Sequence, residues 1–443
     1  MSEAFEYMGS LTGLAITGYS DKNASSIIIP KALNGKRIRS IDEKAFADMH
    51  NLRKVRFENP ISGITIAASA FHNCRNLTDI IFPCNYSREY CRFRLTPIGL
   101  VAEAKKRRLS DDDPPRPYEE SQHWLLDAFD TDHLKLEPGF TGLWYDACRY
   151  TAGLREIDLP PTVNDIKKGA FRDAAQLEKI VIPDAVREIQ DDTFRGCTSL
   201  KEIVLPKHLK GIGCSAFEDC SSLESFTIPD GVAAIESRSF CGCAALKKLT
   251  FGNDVRKLGY FALGGCASLR EISLPPGHGH FLSNGTGLFS PDGKILYAAF
   301  SPDSDVYHVP EGVSVIATSA FGVNRHFRYI TLPESVRSLQ PDAFASAECL
   351  EEISLPDHIT EIPEFCFAGC DSLRKIHLPE QLKSIGTSAF ADCDQLSILN
   401  VPETLERIDD QAFANCSELS PQTEDLLTSH SGNEKVMIFD DYY

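Results

Sequence analysis

The sequence predicts an α/β repeat solenoid of 23-residue units, with short parallel strands on one face and turns or 3-10 pieces on the other. Three observations carry this. A Phe, Cys or Leu recurs every 23 residues in two runs, at Cys148, Phe171, Phe194, Phe217, Phe240 and Leu263 and again at Phe321, Phe344, Phe367, Phe390 and Phe413. A leucine column stands six residues after these positions, at Leu154, Leu177, Leu200, Leu223, Leu246, Leu269, Leu350, Leu373, Leu396 and Leu419. A proline closes most units, at Pro160, Pro183, Pro206, Pro229, Pro275, Pro333, Pro356, Pro379 and Pro402. A fixed period in the twenties marks a stack of short units, none of which can bury its apolar side alone.

Each element follows from its columns. Three residues beyond the leucines stand Ile157, Ile180, Ile203, Phe226, Leu249, Ile272, Ile330, Ile353 and Ile376, and two further on Leu159, Ile182, Leu205, Ile228, Phe251, Leu274, Leu332, Leu355 and Leu378. That period-two spacing places both columns on one face of a short strand and the residue between them on the other. The proline ends the strand, since it has no N–H to continue a ladder. Between strands the units read V-x-x-I-x-x-x-A-F, with Thr193 in place of the Ala in the unit from Val186 to Phe194. This segment is too short for an ordinary helix, so a tight turn or 3-10 piece is expected, with the Phe pointing into the core.

These columns resemble the leucine-rich repeats of the BspA-like family, the treponemal-type class. The opening segments Leu14–Ser20 and Ile27–Ile38 and the off-period stretch Gly287–Tyr297 leading into Val306–Val313 are similar to that family's first turn and to its irregular hairpin-bearing repeat. The resemblance covers most of the chain. It implies a bacterial, right-handed leucine-rich-repeat solenoid used for protein–protein contact and, in secreted members, adhesion, with no active site and no cofactor.

The resulting division is 1–83 N-terminal cap and first repeats, 84–139 insertion, 140–275 regular repeats, 276–310 irregular hairpin-bearing repeat, 311–419 regular repeats, and 420–443 C-terminal cap and acidic tail. In the insertion, Thr96-Pro97 is a good helix start, so helices are expected over Ile98–Leu109 and Glu119–Phe129, with a breaker-rich loop between them. The run Lys105 to Arg108 reads as a solvated helix end. His278-Gly279-His280 and Asp292-Gly293 read as turns rather than metal ligands.

A net charge of −18 over 443 residues argues against a nucleic-acid partner. No stretch approaches the roughly 20 apolar residues of a membrane span. Met1-Ser2-Glu3-Ala4 shows no basic or apolar leader, so the chain as written is expected in the cytoplasm, whereas an upstream start would place it outside the cell or on its surface. Of the fifteen cysteines, Cys74, Cys197, Cys220, Cys243, Cys266, Cys370, Cys393 and Cys416 sit three residues after the Phe position, where Ala174 and Ala347 stand in other units. A buried packing column in a reducing compartment is the expectation, not a zinc set, even with Cys241 beside Cys243 and Cys366 near Cys370.

The candidate partner-binding face is the outward stripe Asp158, Val181, Val204, Thr227, Thr250, Ser273, Thr331, Ser354, His377 and Asn400, flanked by charged pairs such as Arg155-Glu156 and Arg374-Lys375. Trp144, Tyr145 and Tyr329 are the nearest aromatic anchors. The function expected is a non-enzymatic scaffold binding a protein partner through this face or the insertion. The alternatives are a BspA-type adhesin for a host protein or glycan, and an enzyme using His123, Asp127, Asp130, Asp132 and His133, where Asp127 and Asp130 would share a helix face.

Overall fold

The computed structural model describes residues 4–9, 13–58, 65–74, 76–77, 79–81, 89–96, 99–106, 122–128, 132–136, 138–149, 151–301, 303–409 and 411–430. The chain divides into two compact units, Met1–Leu209 and Lys210–Tyr443.

The N-terminal unit opens on an antiparallel pair, Phe5–Gly9 with Leu14–Tyr19, and goes over at once to parallel pairing with Lys36–Ile41. Ser26–Ile29, Lys54–Phe57 and Asp79–Ile81 then stack in parallel. The insertion corrects the sequence expectation. Where helices were expected over Ile98–Leu109 and Glu119–Phe129, the backbone forms strands Glu89–Thr96, Gly99–Lys106 and Gln122–Ala128. The first two pair antiparallel, as do the second and third, and Gln122–Ala128 runs parallel to Phe140–Leu143. Two physical causes act here. Thr96 precedes a proline and is driven to extended backbone, and the apolar alternation Cys91, Phe93, Leu95 has the period of a strand. Joining the repeat sheet also gives these segments lateral backbone partners, through Ile80 opposite Phe93 at one side. With Asp127 on a strand, a helix face shared with Asp130 is ruled out; Asp130 lies outside the described residues.

The regular turns carry two ladders instead of one. The three-residue strands His133–Lys135, Glu156–Asp158, Lys179–Val181 and Glu202–Val204 pair in parallel in the first unit. In the second unit the corresponding stacks are Ser225–Thr227, Lys248–Thr250 and Glu271–Ser273, then Val306–His308, Tyr329–Thr331, Glu352–Ser354, Lys375–His377 and Ile398–Leu399. The V-x-x-I segment, expected as a turn or 3-10 piece, forms a second ladder of two-residue strands, for example Ala234–Ile235 with Lys257–Leu258 and Ser384–Ile385 with Arg407–Ile408. Stacking gives these residues identical neighbours 23 positions away, and lateral hydrogen bonds replace local ones. A 3-10 turn does occur at Ala68–Phe71.

The Phe position sits in a tight turn between two residues with positive φ, two before it and two after. Examples are Asp192 at 51° and Gly196 at 73° around Phe194, and Ser388 at 51° and Asp392 at 60° around Phe390. Inside, the rings stack face to face: Phe321 on Phe344, Phe344 on Phe367, Phe367 on Phe390 and Phe390 on Phe413, at centroid distances of 5.0, 4.8, 5.3 and 5.0 Å. Phe171–Phe194 and Phe46–Phe71 repeat this in the first unit at 5.2 and 5.1 Å.

The off-period stretch is a hairpin of Leu282–Ser283, Gly287–Phe289 and Ile295–Ala299, whose last strand rejoins the two-residue ladder at Val315–Ile316. Its tip is the Asp292-Gly293 turn, with Gly293 at φ 72° and Ser290 Oγ donating to Asp292 at 2.6 Å. Tyr307 fills the inward strand position beside it, donates its hydroxyl proton to the Thr286 carbonyl at 3.0 Å, and is pushed up to about 12 by burial. A helix, Pro421–His430, closes the described part of the second unit: Ser420 Oγ accepts the Thr423 N–H at 3.2 Å as an N-cap, and Leu427 is fully buried.

Candidate functional site

The strand ladder presents two outward columns per turn, because a three-residue strand with its middle residue in the core points both flanking residues out. In the first unit Glu156/Asp158, Lys179/Val181 and Glu202/Val204 face outward around Ile157, Ile180 and Ile203. In the second, Ser225/Thr227, Lys248/Thr250 and Glu271/Ser273, then Val306/His308, Tyr329/Thr331, Glu352/Ser354 and Lys375/His377 do the same.

Within each unit the predicted stripe residues stand in register. Val181 lies opposite Val204, and these are exposed aliphatics, at 50% and 45%. Thr227, Thr250 and Ser273 form a row, and Thr331, Ser354 and His377 form another. Two positions behave differently. Asp158 is taken by His133, whose Nε2 lies 3.1 Å from its carboxylate, so this histidine belongs to the outward face. Asn400 ends the row: its amide donates to the Leu378 carbonyl at 2.8 Å and accepts the Leu378 N–H at 2.7 Å, replacing the backbone of a further strand.

The flanking charges are paired across turns. Lys179 meets Glu202 at 3.0 Å, Lys248 meets Glu271 at 2.8 Å, Lys375 meets Glu352 at 2.5 Å and Arg328 meets Glu351 at 2.7 Å. Hydrogen bonding from Arg328 holds the Glu351 carboxyl below its ordinary range, and Lys248 does the same to Glu271. Such exposed pairs are screened by solvent and add little to stability, so they set the shape and sign of the rim instead.

Sequence reasoning missed His308, whose Nδ1 lies 2.7 Å from Thr331 Oγ1 and which heads the second row. The signal was present: His308 stands 23 residues before Thr331. Tyr329 is on the outward face, 38% exposed, with its hydroxyl donating to Glu351 at 3.2 Å and the Arg328 guanidinium 5.7 Å from its ring. Trp144 and Tyr145, edge to face at 5.3 Å, belong instead to the turn before Cys148. His278 works as a turn residue, its Nδ1 accepting the Phe281 N–H at 3.2 Å. Among the described residues no three His, Cys, Asp or Glu side chains converge as a metal set, and no helix is long and apolar enough to cross a membrane.

Stacked parallel strands with an inward Ile/Leu row and an outward polar row define a leucine-rich-repeat protein. The family described as BspA type leucine rich repeat region matches residues 12–93, 132–232, 164–290 and 295–420, and the chain belongs to it. No curated protein sequence matches the chain. Among solved structures, a leucine rich cell surface protein from Faecalibacterium prausnitzii is similar at 22% identity and a TM-score of 0.50, covering 97% of this chain and 96% of its own. A leucine-rich repeat protein from Eubacterium ventriosum is similar at 16% identity and a TM-score of 0.52, covering 81% and 97%. At these identities the likeness is one of fold.

Proposed function

We propose that this protein is a non-enzymatic scaffold that binds a protein partner through its strand face. The observation that carries this is the second-unit row His308, Thr331, Ser354 and His377 beside Tyr329: register-aligned hydroxyls and imidazoles, exposed, with one aromatic anchor and a rim of charges already paired with each other. A rim whose charges neutralise each other costs less to desolvate than one of free ions, and a tyrosine among small polar groups concentrates binding energy. A reducing compartment is part of the proposal, supported by the buried thiol columns. A second reading, surface adhesion, draws its support from the Faecalibacterium relative, described as a cell surface protein.

The test is affinity capture from native lysate followed by mass spectrometry, with three baits: the intact chain, Thr331→Arg/Ser354→Arg, and a chain whose segment 84–139 is replaced by a short linker. The expected outcome is a partner held by the first and third baits and lost by the second. Retention by the arginine variant removes the strand face from the proposal, and loss only with the linker bait moves recognition to the insertion. A ligand found only on host cells or glycans favours adhesion.

A further inference from the structure

In the second unit regular turns hand two or three N–H groups to the next. Ser215, Phe217 and Asp219 donate to the carbonyls of Ser237, Ser239 and Cys241 at 2.9, 2.8 and 2.8 Å; Arg238, Phe240 and Gly242 donate to Tyr260, Ala262 and Gly264 at 2.8, 3.0 and 2.8 Å. Phe261, Leu263 and Gly265 come next in the series. The turn that follows them in space lies beyond the hairpin, around Phe321, since a Cβ added to Gly264 would sit 3.1 Å from the Gly322 carbonyl oxygen. By the pattern their acceptors are the carbonyls of Thr318, Ala320 and Gly322. None of the three donors finds an acceptor among the described residues.

The hairpin is the cause. Ala299, on its last strand, places its own N–H on the Ala320 carbonyl at 3.0 Å. The Phe261 ring is wedged over Gly322, where a Cβ would come within 2.6 Å of a ring carbon. What remains between the two turns is a cleft of about 70 Å³, several times the ~10–15 Å³ that one water needs. Ser319 Oγ and His326 Nε2, on residues lining the same cleft, are buried without a hydrogen-bond partner.

We propose that this cleft binds a small monocarboxylate. A donor held in a cleft without an acceptor is costly, so three backbone N–H groups on half-buried residues beside a buried hydroxyl and a buried imidazole nitrogen favour an occupant that brings acceptor oxygens. Backbone N–H groups bracketed by left-handed residues, here Phe261 at φ 52° and Gly265 at φ 70°, form concavities suited to anions. A single negative charge fits better than two. The guanidinium groups of Arg238 and Arg325 are engaged by Glu218 at 2.9 Å and Glu348 at 3.0 Å, leaving neither to balance a dianion. Tyr297, Phe300 and Phe327 supply apolar surface for a short alkyl tail.

Amide hydrogen exchange on the full chain tests this, with butyrate as the probe and butyramide and inorganic phosphate as controls. At butyrate concentrations about ten times its Kd, exchange at Phe261, Leu263 and Gly265 slows about tenfold, while the controls leave it unchanged. Equal exchange with and without butyrate means a cleft holding water only, and protection by butyramide or phosphate removes the monocarboxylate; either result overturns the proposal. Ser319→Gly/His326→Leu is expected to lose at least about threefold of the protection, with amides elsewhere in the unit unchanged. If that variant does not fold, the comparison of probes on the native chain decides alone.

Discussion

Thiols of the Cys column donate their protons to the carbonyl of the Phe one turn back. Cys197 reaches Phe171, Cys243 reaches Phe217, Cys370 reaches Phe344 and Cys393 reaches Phe367, at 3.1 to 3.3 Å. The column is therefore a packing site with a weak hydrogen bond, and other residues solve the same site in other ways. Thr151 bonds the Cys148 carbonyl with its hydroxyl, and Asn324 turns its amide on the Phe327 carbonyl and N–H. Burial pushes the thiols of Cys243, Cys366 and Cys393 far above the ordinary cysteine range and that of Cys241 to about 11. In the unfolded chain these groups ionise near pH 8.5. Above that pH the folded state holds more protons than the unfolded one, so stability is full below it and falls as pH rises, for Cys241 through about pH 11. Each thiol contributes up to about 1.4 kcal/mol per pH unit in that window. Urea unfolding at pH 7.5 and 10 is expected to show a marked drop, smaller in Cys243→Ala/Cys393→Ala. An unchanged drop in that variant assigns it to other groups.

The turn around the Phe, held between two left-handed residues, was only half legible in the sequence. The Phe, Leu and Ile columns stood out because one residue type recurs at one place. The left-handed positions did not, because their occupants run from Asp173, Asp219 and Gly242 to Arg238, Phe261, Val323 and Phe365. The insertion misled for a different reason: Thr96-Pro97 is a helix-start signal locally, while the pairing that wins joins Glu89–Thr96 to Gly99–Lys106 and Gly99–Lys106 to Gln122–Ala128, with Asp79–Ile81 and Phe140–Leu143 at the two sides, and no single short window shows it. The outward stripe is legible through alternation, yet its second column, with Glu156 and Lys375, reads in the sequence as a charged flank although a three-residue strand turns both ends the same way. The left-handed positions also yield a prediction. Phe365 adopts φ 54° while 42% exposed, so its ring returns little for a conformation that costs most side chains ~1–2 kcal/mol. Phe365→Asn, which tolerates this region, is expected to stabilise by roughly 0.5–1 kcal/mol in urea titration. A loss of that size would instead show that the ring packs against something.

Across the whole molecule, stability is a sum of neighbours. In the second unit one buried cluster extends from Phe289 through Tyr307 and the Phe column to Leu427 on the closing helix. In the first, a separate cluster joins Phe5, Phe46, Phe57 and Phe71 with Ile16, Ile38 and Leu77. Phe344, Phe367 and Phe390 each touch the rings one turn before and after, so the loss of one removes two interfaces and leaves distant ones intact, the behaviour of a one-dimensional array. Phe344 is the sharpest probe, because it is fully buried and stacked on Phe321 at 5.0 Å and Phe367 at 4.8 Å. Phe344→Ala leaves a cavity in a core that relaxes only partly, at about 3–5 kcal/mol. In an array that cost falls on the turns sharing the cavity. Hydrogen exchange read by mass spectrometry is therefore expected to speed up by orders of magnitude across residues 321–390, where local opening now requires less free energy. Residues 5–57 are expected to keep their protection, since their cluster contains none of the rings affected. Equal acceleration in both regions would mean that the chain opens as one cooperative body, and the nearest-neighbour account would fail.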